Sequence, residues 1–133
     1  MSEDIIKAIN GLNHLCALLP ASPDAVSEAE QSLGLQFAPD YKAYVRQFGA
    51  ISAYGIELTG VTTSRRLDVV AATKRNRAMN GNIPLDMYVI EDMAIDGLLI
   101  LQDVTGDVYS ATPHGVPRKA FNCLADYVKA SHA

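Results

Sequence analysis

The segment that most constrains the fold is LGLQFAPDYKAYVRQFG, residues 33–49. Pro39 suits the first position of a helix, because no N–H partner is needed there, and Asp40 adds a negative charge at the positive end of the helix dipole. Four apolar side chains follow at the spacing i, i+3, i+4, i+7 and share one face: Tyr41, Tyr44, Val45 and Phe48. Gly49 can adopt the left-handed conformation that ends a helix. The pattern predicts a helix over 39–48 with its aromatic face in the core.

Helical patterns also occur on both sides of this segment. An apolar stripe at helical spacing predicts a first helix that runs to about residue 19: Ile5, Ile9, Leu12, Cys16 and Leu19. Ser22, Pro23 and Gly34 are start and stop signals for a second helix. Residues 67–79 predict another, with Leu67, Val70 and Ala71 on its apolar side, and residues 121–130 predict the last.

Between these helices the apolar period shortens to that of strands. ISAYGIELTGV predicts a strand or hairpin at 54–59, and MYVIED, LLILQD and DVYSA predict three more strands. Gly106 and Asp103 suit a tight turn between the last two. This order predicts an α+β fold, with N-terminal helices packed on a mainly antiparallel central sheet and a C-terminal helix. A chain of 133 residues fits a single domain, residues 1–133.

Composition excludes several classes of protein. Hydrophobic residues make up 49% of the chain and charged residues 20%, which is typical of a globular protein and not of a disordered one. The N-terminus lacks the basic start of a secretory signal, and no apolar run approaches the ~18 residues of a membrane span. We therefore expect a cytoplasmic protein without a membrane partner. The net charge of −4 argues against direct nucleic-acid binding.

No established catalytic or metal motif occurs in the sequence. Walker, dinucleotide-binding and HExxH patterns are absent, and the three histidines lack metal-ligand spacing, so we expect neither metal nor cofactor. Cys16 and Cys123 lie in apolar helical patterns, which predicts two buried, unbridged thiols. A hydrolase that uses Cys123 or His114 is the enzymatic alternative, and the expected burial of the thiol argues against it.

Charge is unevenly distributed along the chain. Residues 65–77 carry a basic run, and residues 78–109 carry six carboxylates without a lysine or arginine: Asp86, Glu91, Asp92, Asp96, Asp103 and Asp107. The basic run lacks the interleaved aromatics of a nucleic-acid site, which favours a solvated helix face. A block of like charge can steer an oppositely charged partner, so the acidic strands and turns are the candidate site for a basic protein.

An ordered set of short motifs carries a resemblance to a known family. AEQSLGLQFAPDYKAYVRQFGAISAYGIELTGV resembles the SUKH superfamily of Smi/Knr-like domains, in which a helix ending in Ala-Glu-x-x-Leu-Gly precedes a Pro-Asp-Tyr helix, a glycine and a Gly-x-Glu-Leu-x-Gly strand. The matching positions are Ala29, Glu30, Leu33, Gly34, Pro39, Asp40, Tyr41, Phe48, Gly49, Gly55, Glu57, Leu58 and Gly60. The later IDGLLILQDVTGDVYSATPHG is similar to the family's hairpin, and the likeness spans about 22–128.

The resemblance implies a non-catalytic protein that binds other proteins. Bacterial members are mostly immunity proteins that neutralise a polymorphic toxin, often a nuclease, whereas eukaryotic relatives are regulatory interaction modules. We therefore predict an immunity protein that binds its cognate toxin, with a regulatory or adaptor module as the alternative, and leave monomer or homodimer open. The predicted partner-binding residues are one possible aromatic anchor and five carboxylates: Tyr54, Glu57, Asp92, Asp96, Asp103 and Asp107.

Overall fold

The structure, a computed structural model, describes residues 2–93 and 97–132, and it confirms the α+β fold. The helices in these ranges are α1 (Ser2–Asn10), α2 (Pro23–Leu33), α3 (Pro39–Phe48), α4 (Val69–Met79) and α5 (Leu124–His132). A short 3₁₀ turn, Arg65–Leu67, precedes α4. The strands are β1 (Cys16–Ala17), β2 (Ile51–Ala53), β3 (Ile56–Leu58), β4 (Tyr88–Met93), β5 (Leu98–Gln102), β6 (Val108–Ala111) and β7 (Arg118–Phe121).

The caps predicted for α2 are confirmed, and α3 starts at Pro39 and ends before Gly49 as predicted, although Gly49 does not adopt the left-handed helical conformation. The Ser22 hydroxyl accepts a hydrogen bond from the Ala25 N–H (3.1 Å), and Gly34 ends α2 in the left-handed conformation with φ of 69°. Gly49 ends α3 with φ of 73°, and a side chain there would collide with the backbone of Leu19. Since the chain 18–21 runs directly past this glycine, the end of α3 depends on its lack of a side chain.

The strands form two antiparallel sheets that meet between β3 and β4. One sheet has the order β1-β2-β3, and the other is the meander β4-β5-β6-β7. The Thr59 N–H donates to the Ile90 carbonyl (2.9 Å), which joins the end of β3 to the middle of β4. The hairpin predicted near 54–59 is confirmed as β2 and β3, with Tyr54 and Gly55 in its turn.

The first two strands of the four-stranded sheet, β4 and β5, are buried on both faces, so they have apolar side chains on both sides. Tyr88, Ile90 and Ile100 contact the main core with α1, α3 and α5, whereas Val89 and Leu101 face the opposite way into a second cluster with Ala72 of α4. The aromatic face of α3 lies in the main core as predicted, since Tyr41 and Tyr44 are fully buried and Phe48 is 7% exposed.

The sequence-based prediction of the first helix is wrong beyond Asn10. Residues 11–14 form turns, and Cys16 lies on β1 opposite Ser52 of β2, because the backbone there finds sheet partners that the local apolar spacing does not reveal. The burial predicted for the thiols is wrong for Cys16, which is exposed, while Cys123 is partly buried. Both thiols are free, as predicted.

Two further predictions differ from the structure near the other helices. Residues 118–121 form the edge strand β7, so Phe121 precedes α5 by three residues and is not part of it. Three of the four residues of β7 are exposed, so the strand lacks the alternation of apolar and polar residues from which it could have been predicted. The buried side of α4 holds Val69, Ala72, Thr73 and Asn76 rather than Val70 and Ala71, because polar Thr73 and Asn76 bond neighbouring backbone groups.

We predict that Phe48→Ala destabilises the protein by about 3–5 kcal/mol, because a large side chain is removed from a packed core. Chemical denaturation measures the effect. Gln47→Ala, an exposed change on the same helix, is the control and should shift the midpoint little. An unchanged midpoint for Phe48→Ala would contradict its place in the core.

We also predict that Tyr44→Phe costs about 1–3 kcal/mol, although it removes a single oxygen atom. The Tyr44 hydroxyl accepts from the Ile51 N–H (3.1 Å) and donates to the Thr59 carbonyl (2.8 Å), so its loss removes two buried hydrogen bonds to the backbone. The same change at exposed Tyr54 should be nearly neutral. Equal denaturation midpoints for the two variants would show that these buried hydrogen bonds contribute nothing.

Candidate binding surface

Tyr54 and Glu57 lie together on the hairpin of β2 and β3. The Tyr54 side chain is 77% exposed, and its backbone N–H donates to the Asn13 carbonyl (3.0 Å), which fixes the turn against the end of α1. Glu57 lies three residues further on and forms an ion pair with Arg66 of the 3₁₀ turn. The hairpin therefore presents an exposed aromatic ring on an anchored turn, close to a paired charge.

Asp92 lies near the end of β4 and is paired with α4. Its Oδ2 accepts from Asn76 Nδ2 (3.1 Å) and lies 3.7 Å from the guanidinium of Arg75. Asn76 is itself buried and donates to the Ala72 carbonyl of its own helix (2.8 Å). Asp92 is therefore held by one buried amide and one exposed cation, and part of its carboxylate remains accessible.

Asp103 and Asp107 occupy the turn between β5 and β6, where Gly106 has φ of 96° as the turn prediction requires. Asp103 is 9% exposed, and its carboxylate accepts from the Thr105 N–H (3.0 Å) and the Tyr109 hydroxyl (2.9 Å). Partial burial and the nearby Asp103 raise the pKa of Tyr109 to about 12, so this hydroxyl stays a donor at neutral pH. Asp103 thus holds the turn together, and Asp107 is paired with Lys119 of β7 (3.3 Å).

The structure separates the predicted site residues into two groups. Asp92 lies opposite Leu99 in the β4–β5 register, and Asp103 follows Leu99 by four residues, about 13 Å further along the sheet at ~3.3 Å per residue. Glu57 and Asp92 therefore belong to one end of the sheet, and Asp103 and Asp107 to the other. Asp96 lies outside the described residues.

The acidic segment 78–109 is not an unbroken negative surface. Arg75, from the predicted basic run, pairs with Asp92, and Lys119 pairs with Asp107. Glu57, from the preceding hairpin, pairs with Arg66 of the same basic run. The basic run and the carboxylates at the hairpin end thus form one surface of mixed charge. We call it the hairpin–α4 surface and define it by Tyr54, Glu57, Arg66, Arg75 and Asp92.

Glu91 is a buried carboxylate that the charge pattern of the sequence does not distinguish from its exposed neighbours. It is 7% exposed, accepts from the Glu57 N–H (2.9 Å) and is hydrogen-bonded to the Tyr127 hydroxyl of α5. Burial raises the pKa of Glu91 above its ordinary 4.5, although these two hydrogen bonds act in the opposite direction. Glu91 joins β3, β4 and α5 directly behind the hairpin–α4 surface.

A groove of about 740 Å³ lies between α2, the segment 18–22 and the loop 61–64. We call it the α2 groove. Leu19, at its rim, is 85% exposed. The sequence had assigned Leu19 to the buried stripe of the first helix, so the error in the length of that helix concealed this feature.

The remaining sequence candidates do not form a reactive centre in the part of the chain that the structure describes. No three histidines, cysteines or carboxylates gather there as a metal site. Cys123 packs at the edge of the main core, and His114 is exposed on the loop before β7, where its carbonyl accepts from Asn82 Nδ2 (2.7 Å). No helix in 2–93 or 97–132 has the length and apolarity to cross a bilayer.

The raised pKa of Glu91 predicts that stability falls as pH rises. The folded protein holds this proton more tightly than the unfolded chain, so the contribution is fully present below the ordinary value of 4.5 and is lost as pH rises through the folded pKa. We expect the free energy of unfolding of the parent to decrease relative to Glu91→Gln over that range, measured by denaturation at a series of pH values. Glu28→Gln, the same substitution at an exposed carboxyl, is the control, and a parental curve for Glu91→Gln would overturn the assignment.

Comparison with known proteins agrees with the motifs in the sequence. No curated protein matches the chain. The family model SUKH_5, described as SMI1-KNR4 cell-wall, matches residues 2–131 of the 133, which includes every element from α1 to the last turns of α5. The match extends beyond the region 22–128 that carried the resemblance, and the chain belongs to the SUKH superfamily of SMI1-KNR4 proteins.

Proposed function

We propose that this protein is an immunity protein that neutralises a cognate polymorphic toxin by direct protein–protein binding in the cytoplasm. The observation that carries the proposal is membership of the SUKH superfamily over nearly the whole chain, since this family is generally one of non-catalytic, immunity-type domains. The proposed toxin is a protein domain, and its activity can be that of a nuclease. The immunity protein blocks the toxin by binding to its surface and catalyses no reaction.

The hairpin–α4 surface is the proposed contact. Interfaces gain most of their affinity from a few large anchors, often tyrosine, surrounded by polar groups that exclude water. Tyr54 is such an exposed ring, and the pairs Glu57–Arg66 and Asp92–Arg75 supply charged groups on the same surface. Each ion pair is at least partly exposed. Its two side chains can therefore give up their contact with each other and bind charged groups of the partner at little cost in free energy.

Asp103 and Asp107 form a second, smaller part of the proposed contact. Asp103 acts through the shape of the turn that it holds, since its carboxylate is already bonded to Thr105 and Tyr109. Asp107 is the group on this turn that a basic partner would reach, in exchange for Lys119. A rim charge of this kind contributes mainly to the rate of association.

A regulatory or adaptor module is the second candidate. The description of the matching family, SMI1-KNR4 cell-wall, favours it, because those words point to a role outside toxin immunity. Co-expression separates the two candidates. If a toxin domain encoded beside this gene kills cells alone and spares them when the two are co-expressed, the immunity function is supported. If no toxin domain is encoded beside this gene, or if co-expression of the two proteins does not protect the cells, the adaptor function is favoured.

We predict that Tyr54→Ala weakens binding of the toxin domain by about thirty-fold or more, the loss expected of an interface anchor, and leaves the melting temperature unchanged. Isothermal titration calorimetry and thermal denaturation measure the two quantities. Leu85→Ala is the matched control, since Leu85 is 75% exposed and is not part of the hairpin–α4 surface. Equal affinities for Tyr54→Ala and the parent would place the contact elsewhere on the protein.

A further inference from the structure

The walls of the α2 groove are largely apolar although they face solvent. Seven aliphatic side chains line it: Leu18, Leu19, Ala21, Ala25, Ala29, Val61 and Val70. They come from four parts of the chain: the segment 18–22, α2, the loop 61–64 and α4. The backbone of the two parts that are not helical is held by hydrogen bonds to neighbouring segments. The Leu18 and Ala21 N–H groups donate to the Ala50 and Val45 carbonyls (2.9 and 3.0 Å), and the Val61 N–H donates to the Gly49 carbonyl (3.0 Å). The groove is therefore preformed, which lowers the cost of ordering it around a ligand.

The charged groups that line the α2 groove are both acidic. Glu28 lies on the exposed side of α2, and Asp68 lies at the start of α4, about half-buried. Lysine and arginine are absent from the described residues that line the groove. Lys74 contacts the groove at Ser32, to whose hydroxyl it donates (3.0 Å), so the cation is engaged at one edge.

The carboxylate of Asp68 can accept further hydrogen bonds. Its Oδ2 accepts from the Ala71 N–H (3.2 Å), which caps α4, and no lysine or arginine forms an ion pair with it in the described part of the chain. Burial raises the pKa of Asp68, while its bonds from the Ala71 and Thr62 N–H groups act in the opposite direction. A half-buried carboxylate of this kind is stabilised by a cation that approaches through the groove.

We propose that the α2 groove docks a protein segment in which a lysine or arginine is flanked by aliphatic side chains. The aliphatic groups cover Leu19 and the alanines of α2, and the cation lies between Glu28 and Asp68. This surface is separate from Tyr54 and the hairpin, so it gives the protein a second contact. The inference concerns the chemistry of the ligand segment and holds whether or not the partner is a toxin.

A peptide titration tests the inference without any toxin. The probe is the capped hexapeptide Gly-Leu-Leu-Arg-Leu-Gly, and the matched probe has Glu in place of Arg. Both are added to the full ¹⁵N-labelled protein, and backbone amide shifts are followed by NMR. We expect the Arg peptide to shift amides of residues 18–22 and 61–64, and to bind several-fold more tightly than the Glu peptide. This preference should shrink at high salt.

Two variants locate the contact. Leu19→Ser should weaken binding of the Arg peptide several-fold, whereas Leu85→Ser, an equally exposed leucine outside the groove, should not. Asp68→Asn combined with Glu28→Gln should abolish the preference for arginine while the helix keeps its cap, because asparagine caps as well as aspartate does. The backbone spectrum of each variant reports whether it is folded as the parent is.

Three results would overturn the proposal. They are an Arg peptide that shifts no amide of the groove, equal binding of the Arg and Glu peptides to the parent, and groove shifts that depend on protein concentration without peptide. The last would mean that a second copy of this chain occupies the groove. None of these results bears on Tyr54 and the toxin, so the failure of this inference and the failure of the immunity function are distinguishable.

Discussion

The hydroxyls of three buried tyrosines hold α3 against both sheets, and the rest of the fold depends on them. The Tyr41 hydroxyl is hydrogen-bonded to the Thr59 hydroxyl (3.0 Å), which donates in turn to the Val89 carbonyl of β4 (2.8 Å). Tyr44 donates to the Thr59 carbonyl (2.8 Å), and Tyr88 accepts from the Ala38 N–H (2.9 Å). Burial raises the pKa of each of these tyrosines above 10, so they remain neutral donors. A hydroxyl without a hydrogen bond would cost more free energy in this core than at the surface. The hydrogen bonds of the three tyrosines therefore hold the helix and the sheets in one arrangement.

The same network explains why Pro39, Asp40 and Tyr41 occur together. Pro39 starts α3, and Tyr41 enters the network between the sheets. Asp40, whose charge was expected to act on the dipole of its own helix, also accepts from Gln102 Nε2 (3.0 Å) and from the Leu124 N–H (3.0 Å). Gln102 accepts in turn from Tyr88 (2.7 Å). Three consecutive residues therefore determine where α3 starts, how it contacts the sheets and where the first turn of α5 lies. The local pattern of one helix does not predict these additional contacts.

The parts of the fold that could be predicted are those whose signals lie within a few residues. Caps at Ser22 and Gly34, the aromatic spacing of α3 and the turn glycine at 106 are all local, and each was predicted correctly. Strand β7 could not be predicted, because three of its four residues are exposed and show no apolar alternation. The true end of α1 could not be predicted either, because β1, which follows it, pairs with β2, a strand remote in sequence. The same limit applies to the candidate site. The pairing of Asp92 with Arg75 and the burial of Asp103 depend on tertiary contacts, so a count of charge along the chain suggested a more negative surface than the fold produces.

These pairings change what a charge substitution can reveal about binding. Arg75 and Asp92 neutralise one another, so a change at either leaves the other unpaired and alters the surface twice. Arg77 of the same helix is also engaged, because its guanidinium donates to the Leu33 and Leu85 carbonyls (3.4 and 3.0 Å) and connects α4 to its neighbours. An exposed ion pair contributes only about 0–1 kcal/mol, which is too little to hold a protein partner. Affinity must therefore come from surface that is apolar as well as exposed, and charge decides which partner approaches. Tyr54 and the α2 groove both combine apolar exposure with a nearby carboxylate. The two proposed contacts rest on this combination more than on the acidity of the segment 78–109.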